Sequence, residues 1–301
     1  MRRTLWTTTA STLAASLVIG LGACSYSTNP SGGTSISAAE TNDIGEAVAD
    51  EVDQSVGSLA LDAAAPGNAS AQSAASFSLA GTPPGTGCAT VSSTTDTDSD
   101  GAPDLATYTF ELPACSFTGF RGGTLEITGT VDISDPTPTD FDFAYQATLH
   151  DLQFKFTGPM GNLSFTALRN GTRVLTGNAA GAALSNQITV VRTFPVRQSA
   201  TVTHNLLLTF TPAQGESLAL GQPLPNGTFE KSGTFTWIRG SVTRTFAVTT
   251  VSPLVWDASC TTDRKISSGE IHATLSDGGY VKTVWTGCGV DPVRTFVPAG
   301  Y

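Results

Sequence analysis

Apolar and polar positions alternate along most of this chain, and the period changes once. Between residues 41 and 61, Ile44, Val48, Val52, Val56 and Leu59 recur at helical spacing, with Glu46, Glu51 and Asp53 between them. A stripe at every third or fourth residue predicts one amphipathic helix, with Thr41 or Asn42 as its N-cap. Gly45 and Gly57 weaken it, because glycine loses more backbone freedom in a helix than other residues. Packing on a β-domain is the expected role of such a helix, and a lid over an apolar cavity is the alternative.

From Cys88 onward the period is two. Residues 105–112, 124–133, 141–156, 163–168, 172–176, 187–196, 200–210, 228–238, 241–251, 270–275 and 280–285 read as strands. Asn170-Gly171 reads as a two-residue hairpin turn, Arg239-Gly240 as another, and Asp277-Gly278-Gly279 as a third. No helical stretch separates these runs. Short connections between consecutive strands predict a mainly β fold, an antiparallel meander forming a sandwich, a barrel or a strongly curved open sheet. The long strands at 141–156 and 228–251 are compatible with a curved open sheet.

The flanks have another composition. Residues 24–40 and 62–86 are rich in Ser, Gly, Ala, Asn and Pro, and read as a tether and a linker around the helix. The β-domain then occupies residues 87–301. At the start, Met1-Arg2-Arg3 is followed by a short apolar run ending in Leu17-Val18-Ile19-Gly20-Leu21, and then by Leu21-Gly22-Ala23-Cys24. A charged start, an apolar stretch and small residues before a cut site describe a secretory signal over residues 1–23. The run is too short and too polar to span a bilayer core of about 30 Å. Leu21-Gly22-Ala23-Cys24 resembles the lipobox of bacterial lipoproteins. That resemblance implies a diacylglycerol on the Cys24 thiol, cleavage before it, and a chain held on a membrane of the cell envelope, periplasmic or surface-facing. Each buried CH₂ of such an anchor contributes about 0.8 kcal/mol.

Export changes how the other cysteines read. Of five cysteines, Cys88, Cys115, Cys260 and Cys288 remain once Cys24 is set aside. Disulfides persist in an oxidising compartment. Four cysteines allow three connectivities, and Cys88–Cys115 with Cys260–Cys288 is favoured because each pair is local and brackets adjacent strands.

Residues Asp96-Thr97-Asp98-Ser99-Asp100-Gly101-Ala102-Pro103-Asp104 carry the best chemical signal. Calcium takes six to eight oxygens at about 2.3–2.6 Å, and carboxylates at alternate positions converge when the chain wraps. Asp96, Asp98 and Asp100 supply three ligands, the Ala102 carbonyl a fourth, and Asp104 a fifth or a bound water. The nine residues resemble the calcium loops of thrombospondin type 3 repeats and, more loosely, EF-hand and dockerin loops. They depart from the EF-hand at its twelfth position, where Thr107 stands in place of a bidentate Glu, and no second copy follows. The resemblance implies a structural calcium held weakly.

With 15 Lys and Arg against 25 Asp and Glu, the net charge of −10 leaves no basic cluster for phosphates and argues against nucleic acid. His150, His204 and His272 lack triad or metal spacing and read as half-buried strand residues. Asp140, Asp142 and Asp151 are candidates for an acid/base pair, but their separation is not readable from sequence. Trp237, Trp256, Trp285, Tyr145 and Tyr280 read as core or cross-strand packing, with a sugar or lipid surface as the alternative. The function expected is a membrane-tethered, non-enzymatic structural or binding module whose protein, glycan or lipid ligand is open. A carrier of lipid or another apolar ligand, with the helix covering a curved sheet, is the second expectation.

Overall fold

A computed structural model describes residues 36–301 except 65–87, 94, 101, 119–122, 141–143, 159–163, 196–197, 220–221, 263–264 and 301. The signal, Cys24 and most of both flanking segments lie outside the described residues, as do Asp142 and Gly101.

The helix, α1, runs Ala38–Ala64. It starts three residues before the sequence expectation because its cap is Ser37, not Thr41 or Asn42. The Ser37 hydroxyl accepts from the Glu40 amide at 3.2 Å, and the Glu40 carboxylate accepts from the Ser37 amide at 3.0 Å. This reciprocal pair is a capping box, and Ser37-Ala38-Ala39-Glu40 is its sequence signature. Ile44, Ala47, Val48, Val52 and Val56 are all buried, at 4% exposure or less.

Thirteen strands follow among the described residues. They are β1 (Thr90–Val91), β2 (Leu105–Phe110), β3 (Ser116–Thr118), β4 (Thr124–Ser134), β5 (Tyr145–Thr157), β6 (Ser164–Asn178) and β7 (Gly181–Thr193). Then come β8 (Ala200–Pro212), β9 (Gly227–Arg239), β10 (Val242–Trp256), β11 (Ile266–Leu275), β12 (Tyr280–Trp285) and β13 (Val293–Val297). All belong to one antiparallel sheet in the order β1-β2-β4-β5-β6-β7-β8-β9-β10-β11-β12-β13, with β3 alongside β4. The sheet is a meander and is not closed: among the described residues no pairing joins β13 to β1 or β2.

Alternation sets which face is buried. On β8, Val202, Leu206, Leu208 and Phe210 point into the core, while Thr203, Asn205 and Leu207 point out. The inward residues of β2 to β12 and the buried residues of α1 form one apolar cluster. Trp237, Trp256, Trp285 and Tyr145 belong to it, so these aromatics serve as core. Tyr280 is half-buried and stacks on His272 with ring centroids 4.1 Å apart.

Asn170-Gly171 is not a turn. Strand β6 passes straight through it, and the reversal comes later, between Asn178 and Gly181. Gly171 has φ +139°, outside the range of ordinary side-chain-bearing residues, and Asn170 spends its side chain on β5. Its Oδ1 accepts from the Asp151 amide at 2.7 Å and its Nδ2 donates to the Asp151 carboxylate at 3.0 Å. Asp151 itself sits at φ +48°, where the β5–β6 register shifts between Leu149 and Leu152. The glycine marks a kink beside a bulge in paired strands, a device that bends a sheet. Arg239–Gly240 does turn β9 into β10, and Asp277–Gly279 turns β11 into β12.

Candidate functional site

Two groups of polar side chains stand out, one foreseen from sequence and one not. The foreseen group is the acidic loop before β2. Carboxylate oxygens of Asp96, Asp98 and Asp100 lie within 4.8 Å of one another. One oxygen of each braces the loop: Asp96 accepts from the Ser99 amide at 2.8 Å, Asp98 from the Asp100 amide at 3.1 Å, and Asp100 from the Ala102 amide at 2.7 Å. Oδ2 of Asp98 is buried and, among the described residues, has no hydrogen-bond donor.

Asp104 is placed differently from the sequence expectation. Its two oxygens accept from the Thr97 amide at 2.9 Å and the Thr97 hydroxyl at 2.6 Å. Thr107, at the position of the missing Glu, donates to Asp132 at 2.6 Å instead. The sequence reading missed Asp135, which follows β4 and is bound to the loop by its amide, donating to the Pro103 carbonyl at 3.1 Å. Burial, and the charges of Asp98, Asp135 and Asp96, push the Asp100 carboxyl up to about 6. Like charges raise each other's pKa because each makes the next ionisation costlier. A cation among these oxygens would remove that cost.

At the end of β2 away from this loop the structure brings Cys88 to Cys115, with Cα atoms 5.0 Å apart, and far along the sheet Cys260 to Cys288, at 6.2 Å. Both separations fall in the range a disulfide spans.

The second group lies between α1 and the sheet. Glu51 and Ser55 of α1 meet Arg173 of β6, Asn186 of β7, His204 of β8 and Lys231 of β9, and all six are buried, at 5% exposure or less. Asn186 Nδ2 donates to Glu51 at 2.9 Å and to Ser55 Oγ at 3.0 Å, and Ser55 Oγ donates to Glu51 at 2.9 Å. Arg173 Nε donates to Asn186 Oδ1 at 2.9 Å. Lys231 Nζ is 3.8 Å and His204 Nε2 4.0 Å from the Glu51 carboxylate. Nearer the start of α1, Glu40 pairs with Arg244 at 3.1 Å and Asp43 pairs with Arg239.

The sequence held a signal for this cluster. Glu51 and Ser55 share the stripe of Val48, Val52 and Val56, and His204 shares the inward phase of Val202 and Leu206. A polar residue in phase with apolar neighbours is a candidate for a satisfied interior group. His204 is therefore a buried member of a charge cluster, not a half-buried strand residue. His150, on β5, faces Asp132 at 3.0 Å, and His272, on β11, faces Glu270 at 2.6 Å.

Burial alone would raise the Glu51 carboxyl, but His204, Lys231, Arg173 and the Ser55 hydroxyl outweigh it and bring it down to about 2. Burial lowers His204, and Lys231, Arg192 and Arg169 lower it further against the pull of Glu51, to about 4. His204 is thus neutral at pH 7, and the unfolded chain binds its proton more readily. Stability therefore falls as pH drops from 6.5 to about 4, by about 3 kcal/mol from this group. Glu51 adds a second loss between about 4.5 and 2. Asp100 works the other way, since protonation relieves its repulsion. Urea unfolding across pH 7 to 4 checks this: His204→Gln should lose less than half of what the wild-type chain loses. Equal losses would show that the imidazole is not the source.

No protein-family model, no curated protein and no solved structure matches the chain.

Proposed function

We propose that this chain is an exported lipoprotein of the bacterial cell envelope, anchored through Cys24 and acting as a non-enzymatic structural or binding module. One observation carries the reading. Four of the five cysteines come together as two pairs at disulfide distance, and the fifth is the cysteine that ends Leu21-Gly22-Ala23-Cys24. Disulfide-distance pairs fit an oxidising compartment, and the lipobox fits the same destination. Labelling cells with a radioactive fatty acid tests it. The wild-type chain should take the label and sediment with membranes, and Cys24→Ser should do neither. An unlabelled wild-type chain would overturn the anchor.

Within that module the acidic loop is a calcium site of structural role. Asp96, Asp98 and Asp100 are its acids, with the Ala102 carbonyl and Asp104 as the further ligands; Asp104 also accepts from Thr97, and Asp135 adds its charge to Asp100. The affinity expected for an extracellular module is about 10⁻⁴–10⁻³ M. About 10 mM calcium should then raise unfolding stability by about 2 kcal/mol. Asp98→Asn should abolish the gain. No shift in the urea midpoint with calcium would overturn the site.

A second reading, carrier of an acidic or apolar ligand, has support in the contacts of α1. The same helix reaches Asn186 on β7, Lys231 on β9, Arg244 on β10 and Arg294 on β13, the last through Gly45. Six strand spacings of about 4.8 Å separate β7 from β13, about 29 Å, whereas Gly45 and Glu51 are six residues apart, about 9 Å along the helix. A flat sheet cannot touch one helix at both places, so the sheet curls around α1. The helix then fills a trough that would otherwise be open.

A further inference from the structure

Packing gives no reason for the cluster around Glu51. Replacing a buried ion set by apolar side chains of similar volume is often neutral or stabilising. Withdrawing the acid alone is costly, because it leaves buried charge behind. Lys231, Arg173 and Asn186 therefore make the inward face of β6–β9 a place that requires an anion at one point. α1 brings that anion on a rod of small apolar side chains: Ile44, Ala47, Val48, Val52 and Val56. Around it the sheet supplies Leu206, Leu208, Phe229 and Phe235, which are larger and fully apolar. One negative group on a narrow apolar body is the chemistry of an acidic amphiphile.

We propose that the inward face of β6–β9 is a binding site for an anionic amphiphile, a fatty acid, and that α1 occupies it with Glu51 in the headgroup position. This rests on the carrier reading above. The headgroup oxygens take over the hydrogen bond from Asn186 Nδ2, now 2.9 Å from Glu51, with Lys231 and Arg173 supplying charge. The acyl chain lies where Val48 and Val52 now lie, within the apolar cluster that holds Leu206 and Phe235. Helix and ligand compete for one site, so the apparent affinity of the wild-type chain is reduced by the fraction of molecules with α1 in place.

The test is a fluorescence titration of the full chain with cis-parinaric acid and with its methyl ester. Glu51→Gln keeps hydrogen bonds to Asn186 and Ser55 but gives up the charge. It should bind the acid at least about tenfold more tightly than wild type, because the resident competitor is weakened. Adding Lys231→Met should reverse the gain, and the ester should show none. A Glu51→Gln chain that is folded by circular dichroism and binds the acid no more tightly overturns the proposal. If that variant does not fold alone, parinaric acid must restore its folded signal, and failure to do so overturns it equally. Acid and ester binding alike, untouched by Lys231→Met, would remove the anion site and leave the carrier reading. Binding of neither to any chain removes both. Displacement of the probe by inorganic phosphate would point to a free anion and overturn the amphiphile.

Discussion

Glu51→Ala is expected to lower the free energy of unfolding by about 3–5 kcal/mol, the cost of removing one partner from a buried ion set. The change does three things at once. It removes the acceptor of Asn186 Nδ2 and of Ser55 Oγ, both within 3.0 Å. It takes a countercharge from Lys231 and Arg173, which stay buried. It also loosens α1, whose other buried groups on this stripe are mostly Ala and Val. Domains have about 5–15 kcal/mol of total stability, so a loss of this size moves a urea midpoint far. A double-mutant cycle separates the parts. Glu51→Leu with Lys231→Leu should cost less than the sum of the single changes, because the pair leaves together. A cost below about 1 kcal/mol for Glu51→Ala would mean that the strand cations are satisfied without the helix, and α1 would then be held by its apolar stripe alone.

The cluster also shows where the sequence reading stopped. Strict alternation located β2, β4 and β7 to β12, since apolar inward residues are what alternation measures. The same rule assigned Glu51 to the spaces between apolar positions and His204 to a half-buried site. Glu51 is one residue from Val52 and three from Val48, so it lies on their stripe. Arg173, Asn186 and Lys231 hide for a related reason: each is polar in a strand whose phase its neighbours set. Which of them meet is decided by register, as in Arg173 opposite Asn186 across the β6–β7 hairpin, and that register depends on a turn between Asn178 and Gly181 that the sequence reading placed at Asn170-Gly171. Asp135 was out of reach in the same way, 35 positions beyond Asp100 and adjacent only because β4 returns beside β2. Ser37 was within reach. Its capping box is local, and the apolar stripe beginning at Ile44 drew the boundary too late.

Gly171→Ala is the second large effect, and it turns on the dipeptide that reads as a turn. A hairpin at Asn170-Gly171 would need glycine for its turn angles alone and would sit in solvent. The strand instead needs glycine for contact as well. At φ +139° an L side chain is strained, and a Cβ there would meet the Gln187 carbonyl oxygen at 2.1 Å and the Ile188 Cα at 2.8 Å. Both are backbone atoms of β7, so neither can rotate aside, and relief requires β6 to part from β7. Gly215 provides the comparison, with φ +86° and no heavy atom within 4 Å of the added carbon. Alanine there should cost only the backbone term, about 1–2 kcal/mol. At Gly171 a steric term adds to it, and the total should exceed about 3 kcal/mol, the range reached when backbone strain and overpacking coincide. Thermal unfolding of the two variants side by side reads the difference. Amide exchange should speed up along β6 and β7 in Gly171→Ala and stay at its wild-type rate there in Gly215→Ala. Equal melting points would mean that the strands yield easily at this kink. The bend would then be a soft joint in the sheet.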